Sequence, residues 1–255
     1  MPRPNRYASA YQPVRATRGG AMVAHASGPV SQVELTAFVK TNEPDRPHEV
    51  LNDFLGTSLA MAMGVPTVPC ALVTVDEQAA FLSLGFGEAG VVPPPANFAN
   101  LAVEDPWAAS GIVVLDLWIG NEDRHEDNVL YMKKLGVAAI DHGAAVLGEE
   151  ADVKKARYAL RAKQVNYLPL ARYIPTSDHI FEWVQRAERV TDREIRRWTT
   201  LCWSEGLIET ADSRDHVTDS LIYRRKILRR EVEDAARSGR FYAVSSWPLW
   251  MGEMP

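Results

Sequence analysis

The chain has 255 residues and a formal net charge of −5 at pH 7, with 46% hydrophobic and 24% charged residues, a composition typical of globular proteins rather than of disordered or fibrous ones. The negative charge argues against nucleic acid as the main partner, because phosphate binding normally needs a basic surface. The two cysteines, Cys70 and Cys202, are far apart and form no CxxC pair, which argues against a disulfide scaffold or a zinc site and fits a cytoplasmic location.

No segment has the pattern of a membrane protein. The first twenty residues lack the apolar core of a secretory signal,. The most apolar window, LAMAMGVPTVPCALVTV, is interrupted by Gly64, Pro66 and Pro69, so it is not expected to form a spanning helix. We therefore expect no membrane insertion.

The N-terminal part predicts strands followed by one helix. Residues 11 to 40 favour short strands, and VELTAFVK alternates so that its apolar residues share one face, ending at Lys40,. A helix is expected to begin near Asp45-Arg46-Pro47, where Asp can cap and Pro is tolerated, and to end at Gly64,. Its apolar face is formed by Val50, Leu51, Phe54, Leu55, Leu59 and Ala62. ALVTV, residues 71 to 75, is predicted as a buried strand.

The rest of the chain is predicted to be mostly helical. Residues 85 to 104 are rich in glycine and proline and have no clear period, so they predict a connection between lobes spanning 1 to 84 and 105 to 255,. Asp105-Pro106 begins a buried helix through Ile119, and VLYM and VAAI form a hairpin,. Residues 150 to 238 are helical in pattern; within them, YRRKILRR is interpreted as a solvated face, or else as a docking site for an acidic substrate.

Acidic and amide residues surround the predicted hairpin. Asp123 and Asn128 lie between the buried helix and the first strand, and Asp141 follows the second strand. The ends of a hairpin meet, so Asn128 and Asp141 can face one site, and an amide oxygen with a carboxylate suits Mg²⁺. Asp123 can accept a proton from an attacking hydroxyl. This set is what phosphoryl transfer requires, together with a cation for the phosphates.

The cation is expected to be Lys40. The lysine shares its half of the chain with Gly19 and Gly20, which let backbone N–H groups approach a phosphate without steric hindrance,. An acid on the following helix, Glu49 or Asp53, can hold Lys40 in place, and the sequence does not separate the two. Residues 81 to 86 are the expected adenine contact.

The loop sequences NEDRHEDN and AIDHG resemble the catalytic and metal-binding loops of HipA-like serine/threonine kinases, and also the signature of phosphoinositide kinases. The order RATRGGAMVAHASG, FVKTN and LNDFLGTSLAMAMGVPTVP is similar as well. The resemblance implies an α+β, bilobal protein-kinase-like fold with a small β-rich N-terminal lobe carrying one helix and a mostly helical C-terminal lobe. It also implies ATP and Mg²⁺ as cofactors, a protein serine or threonine as acceptor, and an antitoxin-type regulator as a possible partner.

Residue by residue, the resemblance makes Lys40 the ATP-phosphate lysine, Asp123 the catalytic aspartate, and Asn128 and Asp141 the Mg²⁺ ligands. The acid on the helix falls on Asp53, where the family usually has a glutamate. Two kinds of role stay open for His125. It can act on the reaction, by neutralising phosphate charge or serving as the base, or it can brace the loop through hydrogen bonds.

Three other functions remain open from the sequence. A lipid or small-molecule kinase would use the same chemistry, although no basic membrane-facing patch is evident. A catalytically inactive kinase fold would serve binding or regulation. A metal-dependent hydrolase would use His125 with its neighbouring acids and would need no ATP.

Overall fold

The computed structural model describes residues 13–16, 22–28, 31–86, 94–148, 155, 160–248 and 251. Its N-terminal half contains an antiparallel five-stranded sheet in the order β1-β2-β3-β5-β4. The strands are β1 Pro13–Ala16, β2 Met22–Gly28, β3 Ser31–Thr41, β4 Cys70–Val75 and β5 Gln78–Leu84.

The sheet confirms some strand predictions and corrects others. β3 is the alternating strand that was expected, and its Ala37 and Val39 are buried. β4 was predicted to be buried, but it lies at an edge of the sheet, and its side chains range from half-buried to exposed. β5 was not predicted as a strand. It lies between β3 and β4 and buries Ala80 and Phe81.

The one helix among the described residues of this half, α1, spans Glu49–Met63 and ends at Gly64, which has the left-handed φ of 83° that favours glycine,. The predicted start near Asp45 is wrong. Asp45 is exposed, and the side chain of Asn42 instead accepts a hydrogen bond from the Val50 N–H at 2.9 Å. The predicted apolar face is buried except at Ala62, which is exposed.

The remaining described elements form a mostly helical half around the buried helix α3. The helices are α2 Phe98–Glu104, α3 Pro106–Ile119, α4 Asp178–Arg189, α5 Asp192–Ser204 and α6 Ala211–Arg237, and the hairpin consists of β6 Val129–Met132 and β7 Gly136–Ala139. The predicted cap of α3 is confirmed, because Asp105 accepts a hydrogen bond from the Ala108 N–H at 2.9 Å,. Helix α2 lies inside the stretch predicted as a connection, and residues 87–93 of that stretch lie outside the described residues.

The basic run YRRKILRR is not simply a solvated face. Arg224 is buried and donates to the carbonyls of Leu117 and Trp118 at the end of α3, as well as to Leu160 and Lys163. A cation at a helix C-terminus is favourable, because the last carbonyls of the helix lack partners within it. Lys226 of the same run is exposed. Part of the run therefore binds α6 to the core.

The described architecture is α+β, with a small antiparallel sheet and one helix in the N-terminal half and mostly helices in the C-terminal half, as predicted. Helix α1 is buried between the two halves. It approaches α4, where Arg186 donates to the Met63 carbonyl at 3.5 Å. No helix among the described residues is long and apolar enough to cross a membrane.

Candidate active site

Lys40 lies at the centre of a carboxylate cluster that joins the two halves of the molecule. Its Nζ lies 2.8 Å from Asp53 Oδ2, 2.8 Å from Asp141 Oδ1 and 3.3 Å from Glu49 Oε1. Both acids that the sequence left as alternatives, Glu49 and Asp53, therefore contact the lysine. They stand four positions apart on α1, which places them on the same face of the helix,. The contact to Asp141 joins residues 101 positions apart.

The charges of this cluster are unequal, since three carboxylates surround one ammonium group. Burial acts to lower the pKa of Lys40, but Asp53 and Asp141 outweigh it and raise that pKa above its usual value. Burial acts to raise the pKa of Asp141, and Lys40 outweighs it and lowers that pKa. Burial raises the pKa of Glu49, which Lys40 offsets only in part. Burial likewise raises the pKa of Asp53, which Lys40 offsets only in part. The cluster therefore keeps its lysine charged, while burial opposes full ionisation of the two α1 acids,.

The hairpin brings Asn128 and Asp141 to the same end, as predicted from their spacing. Val129 pairs with Ala139, and the Ile140 N–H donates to the Asn128 carbonyl at 3.1 Å. Asp141 follows directly and has a φ of 56°, which is unusual for a residue other than glycine,. Asn128 thus lies opposite Ile140, the residue directly before Asp141.

The loop between α3 and the hairpin is held by a buried arginine. Arg124 is fully buried, and its Nη2 lies 2.9 Å from Asp116 Oδ1 of α3. Its Nη1 donates to the carbonyls of Asn128 at 2.8 Å and Ile140 at 2.6 Å, which belong to the two sides of the hairpin. Arg124 therefore braces this loop through an ion pair to α3 and hydrogen bonds to the hairpin. Its partner Asp116 was not predicted, because it lies inside an otherwise apolar helix.

The backbone around Asp123 is fixed, while its side chain is exposed. The Asp123 N–H donates to Asn121 Oδ1 at 3.0 Å, and its carbonyl accepts from Asn128 Nδ2 at 2.9 Å. His125 is also exposed, and its Nδ1 lies 3.5 Å from Asp127 Oδ2. The loop thus presents both predicted catalytic side chains to solvent from a fixed backbone.

His142 fills the space between the lysine cluster and Arg124. It is fully buried, its N–H donates to Asp53 Oδ1 at 2.6 Å, and its Nδ1 lies 3.0 Å from Arg124 Nη2. Burial, together with the nearby Arg124 charge, lowers the pKa of His142 well below its usual value, so the ring is neutral. A Cβ atom at Gly56 of α1 would come within 2.5 Å of the His142 Cβ, so this close approach requires glycine,.

Two predicted residues, Gly19 and Gly20, lie outside the described residues, and their contact with phosphate remains a prediction. Among the described residues, Glu49, Asp53 and Asp141 form a group in which one carboxylate oxygen from each residue lies within 4.8 Å of the others. The structure thus brings Lys40, both α1 acids and Asp141 together, and fixes Asn128 and the Asp123 backbone beside them.

Comparisons with known proteins place this fold. No protein-family model matches the chain, and no curated protein matches it. Its structure is similar to that of the Helicobacter pylori proinflammatory kinase CtkA, with a TM-score of 0.58 and 12% identity over 88% of this chain and 96% of that chain. The chain therefore has a kinase-like fold, and the fold implied by the loop sequences is confirmed.

A second solved structure is that of HipA with HipB and operator DNA from Shewanella oneidensis. The TM-score is 0.41 and the identity 14%, over 89% of this chain and 66% of that chain. This chain thus spans just under two thirds of the HipA chain. At 12% identity the comparison with CtkA shows a fold, and the chemistry has to be argued from the residues.

Proposed function

We propose that this protein is an ATP- and Mg²⁺-dependent phosphotransferase that transfers the γ-phosphate of ATP to a serine or threonine hydroxyl of a protein. The observation that carries the proposal is the position of Lys40, whose Nζ lies 2.8 Å from both Asp53 and Asp141. A kinase-like site needs such a lysine held by a helix acid and adjacent to a metal-binding aspartate.

The residues present suit a Mg²⁺ ion. Asp141 supplies a carboxylate, and the amide nitrogen of Asn128 donates to the Asp123 carbonyl, so its amide oxygen is the atom left to face a cation. Oxygen ligands of this kind, completed by phosphate oxygens and water, are those Mg²⁺ prefers. One carboxylate oxygen each of Glu49 and Asp53 lies within 4.8 Å of one of Asp141, so a cation bound by Asp141 would lie close to these acids as well. When bound there, Mg²⁺ would neutralise charge on the ATP phosphates.

Lys40 and Asp123 have separate tasks in this proposal. Lys40 would bind phosphate oxygens of ATP, and its two aspartate contacts would hold its ammonium group in place. Asp123 would accept the proton of the acceptor hydroxyl as the hydroxyl oxygen bonds to the γ-phosphorus and ADP leaves. Gly19 and Gly20 would contact the phosphates through backbone N–H groups, and residues 81 to 86 would contact adenine.

The exposure of the acceptor side supports a large acceptor. Asp123 and His125 are exposed, whereas the lysine cluster is largely buried. A small acceptor is normally enclosed by its pocket. A hydroxyl on the surface of another protein can reach an exposed aspartate directly. An antitoxin-type regulator and a cytoplasmic location remain parts of the proposal.

The test is transfer of label from γ-³²P-ATP with Mg²⁺ into a cell extract. Wild-type protein is expected to label a protein band, and Asp123→Asn is expected to lose at least about a hundredfold of the labelling. Asp127→Asn is the matched control, because it removes an exposed carboxylate from the same loop. Label that appears in the lipid or small-molecule fraction instead identifies the other acceptor class. Equal labelling by wild type and Asp123→Asn contradicts the proposal.

A further inference from the structure

The segment that follows Asp141 folds around one buried amide side chain, Asn52 of α1. Asn52 is fully buried. Its Nδ2 donates to the carbonyls of Gly143 at 2.6 Å and Gly148 at 3.1 Å, and its Oδ1 accepts from the Leu147 N–H at 3.1 Å. Both amide hydrogens and the amide oxygen are thus used on residues 143 to 148. No aliphatic side chain can replace this set of bonds.

The backbone of residues 141 to 148 contains two conformations that need such support. Asp141 and Val146 have φ values of 56° and 46°, in the left-handed region that residues other than glycine rarely adopt,. Such conformations persist only where the surroundings fix them. Besides Asn52, the Asp53 carboxylate accepts from the His142 N–H at 2.6 Å, and the Ile119 carbonyl accepts from the Val146 N–H at 2.9 Å.

The contacts of Asn52 and of Lys40 meet at adjacent positions of α1. Asn52 and Asp53 are neighbours on α1, and Asp53 joins Lys40 on one side and the His142 backbone on the other. The position of the Asp141 carboxylate therefore depends on two interactions: its own contact to Lys40 and the anchoring of residues 142 to 148 to α1. Binding of Mg²⁺ would weaken the contact to Lys40, because the metal competes with the lysine for Asp141.

We propose that Asn52 is a positioning residue that keeps Asp141 directed into the site by anchoring residues 143 to 148 on α1. The inference rests on the proposed function, since it assigns Asp141 to the metal. In this arrangement the segment after the metal-binding aspartate is ordered before any ligand binds. Mg²⁺-ATP then binds without first having to order it.

The test compares Asn52→Leu, which removes all three bonds and keeps the number of side-chain heavy atoms, with wild type. The control is Thr218→Val, which removes a buried hydroxyl contact of 2.7 Å to Thr199 between α5 and α6. Asn52→Asp is the second variant, since it keeps the acceptor for Leu147 and removes both donors. Two quantities are measured: hydrogen exchange of residues 142 to 148 without ligand, and the Mg²⁺ concentration that gives half-maximal turnover.

Asn52→Leu is expected to speed exchange of this segment by at least about tenfold and to raise the half-saturating Mg²⁺ concentration by about tenfold. Thr218→Val should change neither, although it loses global stability. If Asn52→Leu does not fold, Asn52→Asp is expected to give the same two shifts. Unchanged exchange, or faster exchange with unchanged Mg²⁺ dependence, overturns the proposal.

Failure of the proposed function would be distinguishable from failure of the Asn52 proposal. Hydrogen exchange needs no turnover, so it reports on the anchoring by Asn52 in any case. A wild-type protein that neither binds Mg²⁺-ATP nor transfers phosphate contradicts the proposed function. It leaves the exchange result to decide whether Asn52 orders the segment.

Discussion

Two parts of the candidate site differ in how their side chains are held. Around Lys40, each charged group contacts at least one other, and the side chains of Lys40, Glu49 and Asp53 are 12%, 6% and 1% exposed. In the loop of residues 121 to 128 the backbone is fixed by Asn121, Arg124 and Asn128, but the side chains of Asp123 and His125 are exposed.

In the proposed phosphotransferase, this difference separates binding of nucleotide and metal from acceptance of the substrate hydroxyl. Charges that bind a triphosphate and a metal act best when preorganised and partly shielded from water. A residue that receives a hydroxyl from a second macromolecule has to remain accessible until that molecule arrives. Changes in the lysine cluster should therefore affect nucleotide and metal dependence, whereas changes to Asp123 should affect turnover.

The largest effect is expected from Asp141→Asn. This substitution keeps the side-chain volume but removes the carboxylate assigned to Mg²⁺, so transfer of the γ-phosphate should fall by about a thousandfold or more. The measurement is initial rate against Mg²⁺ concentration with labelled ATP. Glu231→Gln on α6 is the control, as a carboxylate outside the cluster. Retention of wild-type Mg²⁺ dependence in Asp141→Asn would remove Asp141 from the metal site.

Removal of Arg124 is expected to lower the stability of the fold rather than to remove a group that contacts metal, nucleotide or acceptor. Arg124→Leu leaves the buried Asp116 without its cation and frees two hairpin carbonyls, and this should lower the free energy of unfolding by about 3–5 kcal/mol,. Urea denaturation measures the change. The double variant Asp116→Leu/Arg124→Leu should lose less than the sum of the single changes, because neither then leaves a buried charge unpaired. Additive losses would mean that the pair contributes no coupling.

Lys40→Met is expected to raise the KM for ATP by about tenfold to a hundredfold, because it removes one or two charge-assisted hydrogen bonds to the phosphates. It also leaves Glu49, Asp53 and Asp141 facing one another without their cation. Mg²⁺ without nucleotide should therefore raise the melting temperature of this variant more than that of wild type. The exposed Lys226→Met is the matched control. An unchanged KM would show that Lys40 does not contact ATP.

The parts of the fold that were predicted from sequence depend on neighbouring residues. The Asp105 cap, the buried α3 and the hairpin after it each follow from a local pattern. The start of α1 was mispredicted, because its first turn is satisfied by Asn42, eight residues before Val50. The burial of Arg224 was missed, because its carbonyl partners lie 61 to 107 positions away.

The site residues that were predicted also belong to local sequence patterns, whereas the one that was missed depends on distant partners. Asp123, Asn128 and Asp141 were identified because two short loop sequences, NEDRHEDN and AIDHG, contain all three. The choice between Glu49 and Asp53 was left open because helical spacing puts both on one face, and the structure brings both to Lys40. Asn52 carried no signal, since its partners lie 91 to 96 positions away.

The smallest effect is expected from His125→Gln. The His125 side chain is 48% exposed, and its contact is with Asp127, which is 74% exposed, at 3.5 Å. An exposed pair of this kind does little to hold a loop whose backbone Arg124 already fixes, so turnover should stay within about threefold of wild type,. Rates are to be measured across pH 5 to 9 beside Asp123→Asn. If His125 is instead the base, its loss should lower turnover by about a hundredfold or more and change the shape of the pH profile relative to that of wild type. That result would transfer to His125 the proton-accepting role assigned here to Asp123.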